Sequence, residues 1–472
     1  MNNGYKTPAL NPFRTMLLKF NPRRVYGWER EIISILQVVT GHDPHSHAIY
    51  GIRAIGKSTL LKFLRHPEGA MRRYRNLVDE DYATGRRQIL WIYINFHQFT
   101  EQTSVLQVMH QHFYRELTTK TNLDENELED YSPQTALQKR DVAALIRQML
   151  QWLDKDHRMR VVFLMDDFDI PLMSDSIRPE DDHLLRTISD FASLIIATDE
   201  PISQINPEIT KASPLLGILR PERIGLINEN AARRLICEPM ESTGETFLAL
   251  EENMLLMIAG CHPFLLTMTC DTYFEMRQGL VDIEKIFEKP ASRKGIADRL
   301  MNKLLVEPGI TNVLNLIWNK HKSLQPILVE MAKEQDNGFI GSQAARLEVY
   351  SMAYLDVRAG GYRIFGRLFA AFVRLQAAHA HRHDADYDNA LQDLMMNLSP
   401  IDRSVLEYLV KRKNTVCTFQ ELIDSVWDDE NGTKRALEAA VHRLRRSVPG
   451  GHQIKNIRGE GYKYIIVDSA LV

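Results

Sequence analysis

Cysteine is scarce in this 472-residue chain: four residues, Cys237, Cys261, Cys270 and Cys417, with no CxxC pair and no zinc-like spacing. That excludes a disulfide-stapled scaffold and a zinc ribbon, and it fits reduced thiols. Long apolar runs are missing as well. None approaches the ~18 residues that a membrane-crossing helix needs, and the N-terminal MNNGYKTPALNPFR lacks the basic-then-apolar order of a secretory signal. A cytoplasmic protein without membrane attachment is therefore expected. Charge of one sign is not in excess either: 58 Lys and Arg stand against 61 Asp and Glu, a formal net charge of −3. Any electrostatic case for nucleic acid must then be local. No nuclease, protease or deaminase motif stands out. The length accommodates two to four domains of roughly 100–200 residues.

What the sequence does have begins at Gly51-Ile52-Arg53-Ala54-Ile55-Gly56-Lys57-Ser58-Thr59. This is Gly-x-x-x-x-Gly-Lys-Ser/Thr, preceded by a short apolar strand, His47 to Tyr50, and followed by a helix opening, Thr59 to Leu64. Strand, glycine loop and helix is the context that makes the pattern a phosphate-binding loop. Gly51 and Gly56 let backbone N–H groups face a phosphate, and the helix N-terminus adds partial positive charge. Lys57 neutralises β- and γ-oxygens, and Ser58 ligates Mg²⁺. About 110 residues on, Arg160 to Phe168 reads RVVFLMDDF, a buried parallel strand whose carboxyl end meets a ligand crevice. There Asp166 is placed to hold the Mg²⁺ shell and Asp167 to orient or deprotonate the attacking water. Asp169 is a supporting group or a helix cap.

Around these motifs, Gln88 to Phe96 reads as a central strand, and helices are expected over 102–119 and 138–153. Ala192 to Asp199 is another strand, lying between the P-loop strand and the acidic one. Thr198 at its end is either a γ-phosphate sensor or a structural cap. Alternation of strands and helices gives an α/β P-loop NTPase, a parallel sheet with helices on both faces. Further on, 226–285 reads as helices. From about 300 three helices precede a hairpin turning at Ala359-Gly360-Gly361, a small winged helix.

GIRAIGKSTLL, LWIYINF, VVFLMDDFD, RIGLINENAARRLICEP and AGCHPFLLTMTC together resemble the signal-transduction ATPases with numerous domains, the AAA+-related STAND class, over roughly residues 20 to 375. The resemblance implies that the box Val25-Tyr26-Gly27 touches adenine; the next position holds Trp28 where the family usually has Arg. It also implies that Pro263, in Gly260-Cys261-His262-Pro263, packs on the base, with His262 reaching the phosphates. A plain helix start is the other reading of that pair. Arg220 and Arg223 precede an Ile-Gly-Leu strand where related proteins put a basic residue near the nucleotide; surface arginines are the alternative.

Residues 377 to 392, with His379, His381 and His383 among Asp384, Asp386 and Asp388, are more simply a solvated linker than a metal site. Ser399-Pro400 opens the last domain as N-cap and first helical residue. Helices over 401–411, 418–427 and 433–447 lead to two short strands around Gly459-Glu460-Gly461. Leu437, Val441 and Leu444 form the buried stripe of the third helix, leaving Arg435, Glu438, Ala439, His442 and Arg446 on the other face. Lys434, Arg435, Arg443, Arg445, Arg446, Lys455, Arg458 and Lys463 face only Glu438 and Glu460 in opposition, a local balance of +6. A basic helix followed by a basic wing is the footprint of a DNA reader. Residues 395 to 468 resemble the winged-helix effector domain of OmpR-type response regulators, with Phe419-Gln-Glu421-Leu422, Val426-Trp427, Val441-x-Arg443-Leu444-Arg445 and Ile457-Arg458-Gly459-x-Gly461-Tyr462 at that family's spacing. The resemblance implies double-stranded DNA as partner, contacted by Lys434, Arg435, His442, Arg443, Arg446, Lys455, Arg458 and Lys463. Docking to a protein is the alternative.

The expected organisation is a leader (1–22), a P-loop ATPase core (23–225), a helical lid (226–299), a first winged helix (300–376), a linker (377–394) and a C-terminal DNA-binding winged helix (395–472). The function expected is an ATP-controlled switch, with ATP or ADP and Mg²⁺ as ligands and slow hydrolysis, governing a transcription regulator that responds to an unidentified ligand or protein. A homo-oligomer in the ATP state belongs to this picture. Two rivals are a DNA-remodelling or initiator-type ATPase and an oligomerising defence or stress sensor whose winged helix binds protein.

Overall fold

The computed structural model describes residues 10–43, 45–99, 104–121, 123–138, 141–173, 177, 179–205, 219–333, 338–427, 433–448, 452–457 and 459–466. The chain divides into two units, Met1–Val373 and Arg374–Val472.

In the first unit, β1 (Ser46–Tyr50), β2 (Gln88–Asn95), β3 (Met159–Asp166), β4 (Ser193–Thr198) and β5 (Leu219–Arg223) form one sheet in the order β2-β3-β4-β1-β5. Every pairing is parallel. β3 and β4 are buried almost throughout, as continuous apolar runs covered on both faces should be. Successive residues of β3 alternate between two cores. Val162 and Leu164 join Ile32, Ile35 and Leu60, while Val161, Phe163 and Met165 join Met109, Phe113 and Met149. Helices thus flank both faces, as the sequence predicts.

Two expectations need correction here. Gln88–Asn95 is an edge strand, not a central one. Its aromatic and β-branched content marks a strand but says nothing of its place in the sheet, and Ile89, Trp91 and Tyr93 are only half-buried. The last strand is Leu219–Arg223 itself, not the Ile-Gly-Leu that follows it.

The segment 226–306 is helical: Glu229–Cys237, Ala249–Ala259, Pro263–Arg277 and Pro290–Val306. After it come the three helices Pro308–Lys320, Gln325–Lys333 and Ser342–Val349. They precede an antiparallel hairpin of β6 (Ala353–Asp356) and β7 (Gly361–Ile364). The leader is more ordered than its weak periodicity suggests. Pro12–Leu18 is a helix capped by Asn11, and Phe13 is fully buried, stacked on Phe247 with Phe274 at its edge.

Residues 377–394, read as a loose linker, have a helical backbone within Arg367–Asn397. Beyond them stand the helices Pro400–Lys411, Phe419–Val426 and Lys434–Ser447 and a sheet of β8 (Val416–Thr418), β9 (His452–Ile457) and β10 (Gly461–Ile466), ordered β8-β10-β9. Ser399 caps the first helix, accepting from the Asp402 N–H, and Pro400 is its first residue. Leu437, Val441 and Leu444, with Ala440, pack onto Leu406, Leu409, Leu422, Tyr462 and Tyr464. Among the described residues no helix is long and apolar enough to cross a membrane.

Candidate nucleotide site and nucleic-acid face

Sheet register builds the first site. The carboxyl ends of β1, β2, β3 and β4 lie level, with Asn95 beside Asp166 and Tyr50 beside Thr198. The loop leaves β1 at this edge and turns into the helix Lys57–Arg65. Gly56, at φ +117°, has the indole of Trp28 against it, 2.3 Å from where a β-carbon would stand. A β-carbon on Gly51 would come 2.2 Å from the Ile224 carbonyl. Close approach therefore requires both glycines, and conformation requires Gly56 as well. A cavity of about 570 Å³ opens over the loop, lined by Gly56, Lys57, Ser58, Thr59 and Arg53. Its other walls include Val25, Tyr26 and Pro263, three of the four residues the sequence assigned to the base. Gly27, at φ +82°, lies next in the chain, pressed against Ile227. The N-terminal segment from Met16 to Asn21 closes one side.

Charge in this site is internally balanced. Lys57 is buried; its ammonium donates to the Gly51 carbonyl at 2.7 Å and pairs with Asp199 at 2.8 Å. Arg53 pairs with Asp167 at 3.1 Å and lies 3.9 Å from Asp199. Burial opposes ionisation of Asp199, but Lys57 and Arg53 outweigh it and hold the carboxyl below its ordinary range. At Asp169 burial and the neighbouring Asp199 outweigh Lys57 and Lys320 and push the carboxyl up to about 6. Asp166 is buried and accepts from the Tyr93 hydroxyl at 2.7 Å and from the Asp167 N–H. Asp167 accepts from Asn95 at 3.2 Å and sits at φ +54°. Trp28 (φ +58°) and Ala54 (φ +59°) share that left-handed backbone, so three strained non-glycine residues line one cavity. Sequence offered no signal for the strain, nor for Tyr93, Asn95 and Asp199 as partners of the loop and the acidic strand.

The fit to a nucleotide rests on chain geometry. The two glycines bring backbone close to the cavity, a cation stands at its floor, and hard oxygen donors suited to Mg²⁺ are present in the Ser58 hydroxyl and the Asp166 carboxylate. Two residues are placed differently from expectation. Thr198 is fully buried, and its hydroxyl donates to the Glu200 carbonyl at 2.7 Å; the capping reading describes it. His262 is fully buried and absent from the cavity wall. Its Nδ1 accepts from the Leu265 N–H at 3.4 Å as N-cap of Pro263–Arg277, its ring lies 5.6 Å from that of Phe365, and burial pulls its pKa down to about 4. The ring is thus a neutral, buried cap that stands behind the cavity wall. Arg223 is likewise directed elsewhere, to the Glu348 carbonyl.

In the second unit the face of the Lys434–Ser447 helix opposite its core is exposed at Arg435, Glu438, Ala439, His442 and Arg446, as predicted from periodicity. Lys434 lies 4.4 Å over the Phe419 ring. Lys455 and Lys463 stand directly opposite each other across β9 and β10, on the face away from Ile454 and Tyr464. Arg458 lies outside the described residues. Arg443 departs from expectation: its guanidinium grips buried Asp402 through two bonds of 3.0 and 2.7 Å, tying two helices together and holding that carboxyl below its ordinary range. Arg445 likewise donates to the Ile454 carbonyl.

Residues 393–464 match the sequence family described as Transcriptional regulatory protein, C terminal. No curated protein matches the chain in sequence. Among solved structures, a Walker-type ATPase of Pyrococcus abyssi is 13% identical over 75% of this chain and 98% of its own, with a TM-score of 0.48. The ORC2 protein of Aeropyrum pernix is 11% identical, covering 80% and 98%, with a TM-score of 0.42. The ORC1 protein of the same organism, solved in complex with DNA, is 13% identical, covering 97% and 94%, with a TM-score of 0.32. The chain joins an α/β unit, a parallel five-stranded sheet carrying the Gly51–Thr59 loop, to a C-terminal winged helix that matches the transcriptional-regulator family.

Proposed function

We propose that this protein is a cytoplasmic ATP-dependent switch of the STAND class that controls a DNA-binding domain, and that its output is transcription regulation. The observation that carries it is the presence in one chain of a triphosphate cradle and an exposed basic helix within a segment matching a transcription-regulator family. Lys57 and the backbone N–H groups from Gly51 to Thr59 bind the phosphates. Val25, Tyr26 and Pro263 hold the base, and Ser58 and Asp166 would hold Mg²⁺. Asp167 orients the attacking water, so ATP is hydrolysed slowly, as a timer. Arg435, His442, Arg446, Lys434, Lys455 and Lys463 meet the phosphates and groove of double-stranded DNA. The direct opposition of Lys455 and Lys463 costs the isolated wing a few tenths of a kcal/mol and fits an anionic partner. Arg443 supports the reading surface and does not contact DNA.

Genome-wide DNA footprinting with and without ATP tests this. Discrete sites whose occupancy changes with ATP are expected; identical patterns would overturn the switch. Continuous DNA-stimulated turnover would indicate an initiator-type ATPase instead. ATP-driven assembly without DNA affinity would indicate an oligomerising sensor.

A further inference from the structure

The dipeptide after β4 touches two parts of the first unit at once. Asp199 faces the loop, paired with Lys57 at 2.8 Å, and its own N–H donates to Asp169 at 2.8 Å. Glu200, next in the chain, faces the first winged helix, where its carboxylate meets His321 Nδ1 at 3.1 Å. The Thr198 hydroxyl on the Glu200 carbonyl closes the turn between them. His321 is buried, its ring 4.2 Å from that of Tyr350, and the Tyr350 hydroxyl donates to Gln204 at 2.7 Å, four residues beyond Glu200. A cavity of about 240 Å³, lined by Arg53, Asp199, Leu316, Lys320 and His321 among others, lies between the loop and the end of the Pro308–Lys320 helix and leaves room for the turn to move.

Burial, with Lys320 adjacent, lowers His321 to about 4. The imidazole is neutral at pH 7, so the 3.1 Å approach of Glu200 is a polar contact rather than an ion pair. Such a contact between a neutral ring and a carboxylate is weak and easily exchanged. The Lys57–Asp199 pair is different: it is largely buried, and removing one partner strands a charge. A triphosphate that takes over Lys57 does this to Asp199. The carboxylate then lies next to like charge and withdraws; the turn that holds it, tied by the Asp199 N–H to Asp169 and by the Thr198 hydroxyl to the Glu200 carbonyl, carries that shift to Glu200.

We infer that Asp199 and Glu200, with His321 and Tyr350, form the relay by which occupancy of the phosphate loop is reported to the first winged helix. Asp199 and Glu200 are positioning residues: one acts through Lys57, the other through His321. The relay rests on the reading that a triphosphate fills the loop.

The test uses the full chain, a fluorescent ATP analogue for affinity, and amide hydrogen exchange over residues 308–333 with and without MgATP. In the wild type, ATP should change exchange there by about tenfold, within the usual range of coupling between sites. In Glu200→Gln and His321→Gln, affinity should stay within about threefold of wild type while the exchange response falls below about twofold. Asp199→Asn, which frees Lys57 from its competitor, should bind ATP about tenfold more tightly and show exchange over 308–333 shifted toward the loaded pattern without ATP. Melting temperatures within a few degrees of wild type show that the variants are folded. ATP binding without a response at 308–333, or an undiminished response in both Glu200→Gln and His321→Gln, would overturn the relay alone. A wild-type chain that does not bind ATP takes down the loop assignment and the relay together.

Discussion

The phosphate loop and the C-terminal helix answer the same ligand chemistry in opposite ways. At the loop the cations are already matched: buried Lys57 to Asp199, half-buried Arg53 to Asp167. On the helix and wing Arg435, Arg446, Lys455 and Lys463 have no carboxylate partner among the described residues. A site with internal counter-charges binds only what displaces them, and that displacement moves protein. Free surface cations bind phosphate with little rearrangement, by counterion release. The comparison teaches that the loop is built to change state and the tail to read a surface.

The largest effect expected is at the loop. Lys57→Ala should weaken ATP binding by at least about 100-fold, through loss of a charge worth several kcal/mol at the phosphates, and leave the tail's intrinsic DNA affinity unchanged. Titration with a fluorescent ATP analogue checks it, and intact affinity would break the comparison at its first term. Next, reversing Arg435 and Arg446 to Glu should lower DNA affinity roughly 30-fold near 0.1 M salt and flatten the salt dependence by about two contacts. Arg443→Gln should instead lower the melting temperature, by exposing buried Asp402 to the loss of its partner, and leave the salt slope alone. Anisotropy titrations across a salt series separate the two outcomes.

The smallest effect is a pH dependence confined to the first unit. Burial, with neighbouring cations, lowers His47, His262 and His321 to about 4. Each binds its proton near 6.5 once unfolded, so their contribution is full above pH 6.5 and is lost as pH falls toward 4. Asp169, raised to about 6, works the other way with Glu200 and Asp271, against these three histidines and His110 and His112, which burial also lowers. In the tail, Asp402 is lowered and contributes above its unfolded range, which leaves that domain level between pH 7 and 5.5. Calorimetry over this interval should show the transition of the first unit fall by several degrees while that of the tail stays still; equal shifts would remove the distinction.

Much of this was legible beforehand. The strand, loop and helix around Gly51–Thr59, the acidic strand, the Glu229–Cys237 helix and the three helices and hairpin from 308 to 364 all stand where composition and periodicity put them. The buried stripe Leu437, Val441, Leu444 and the exposed Arg435, His442 and Arg446 follow from the 3.6-residue repeat alone. What failed was position across the chain. The strand Gln88–Asn95 was read correctly as a strand but wrongly as central, because aromatic content does not encode neighbours. His262 was placed beside phosphate, yet only the packing of Phe365 reveals it as a buried cap. Thr198 and Arg443 carry the right groups, but a carbonyl two residues away and a carboxylate 41 residues away use them first.

By itself the sequence determined where a phosphate cradle forms and which helix face is basic, because both are set by residues within one or two turns of each other. The tertiary structure alone decided which charges remain available. Asp199 reaches Lys57 across 142 positions, and Trp28 comes to rest on Gly56. Such meetings depend on strand order and register, and an ion pair between distant residues forms only after the sheet has brought its carboxyl edges level.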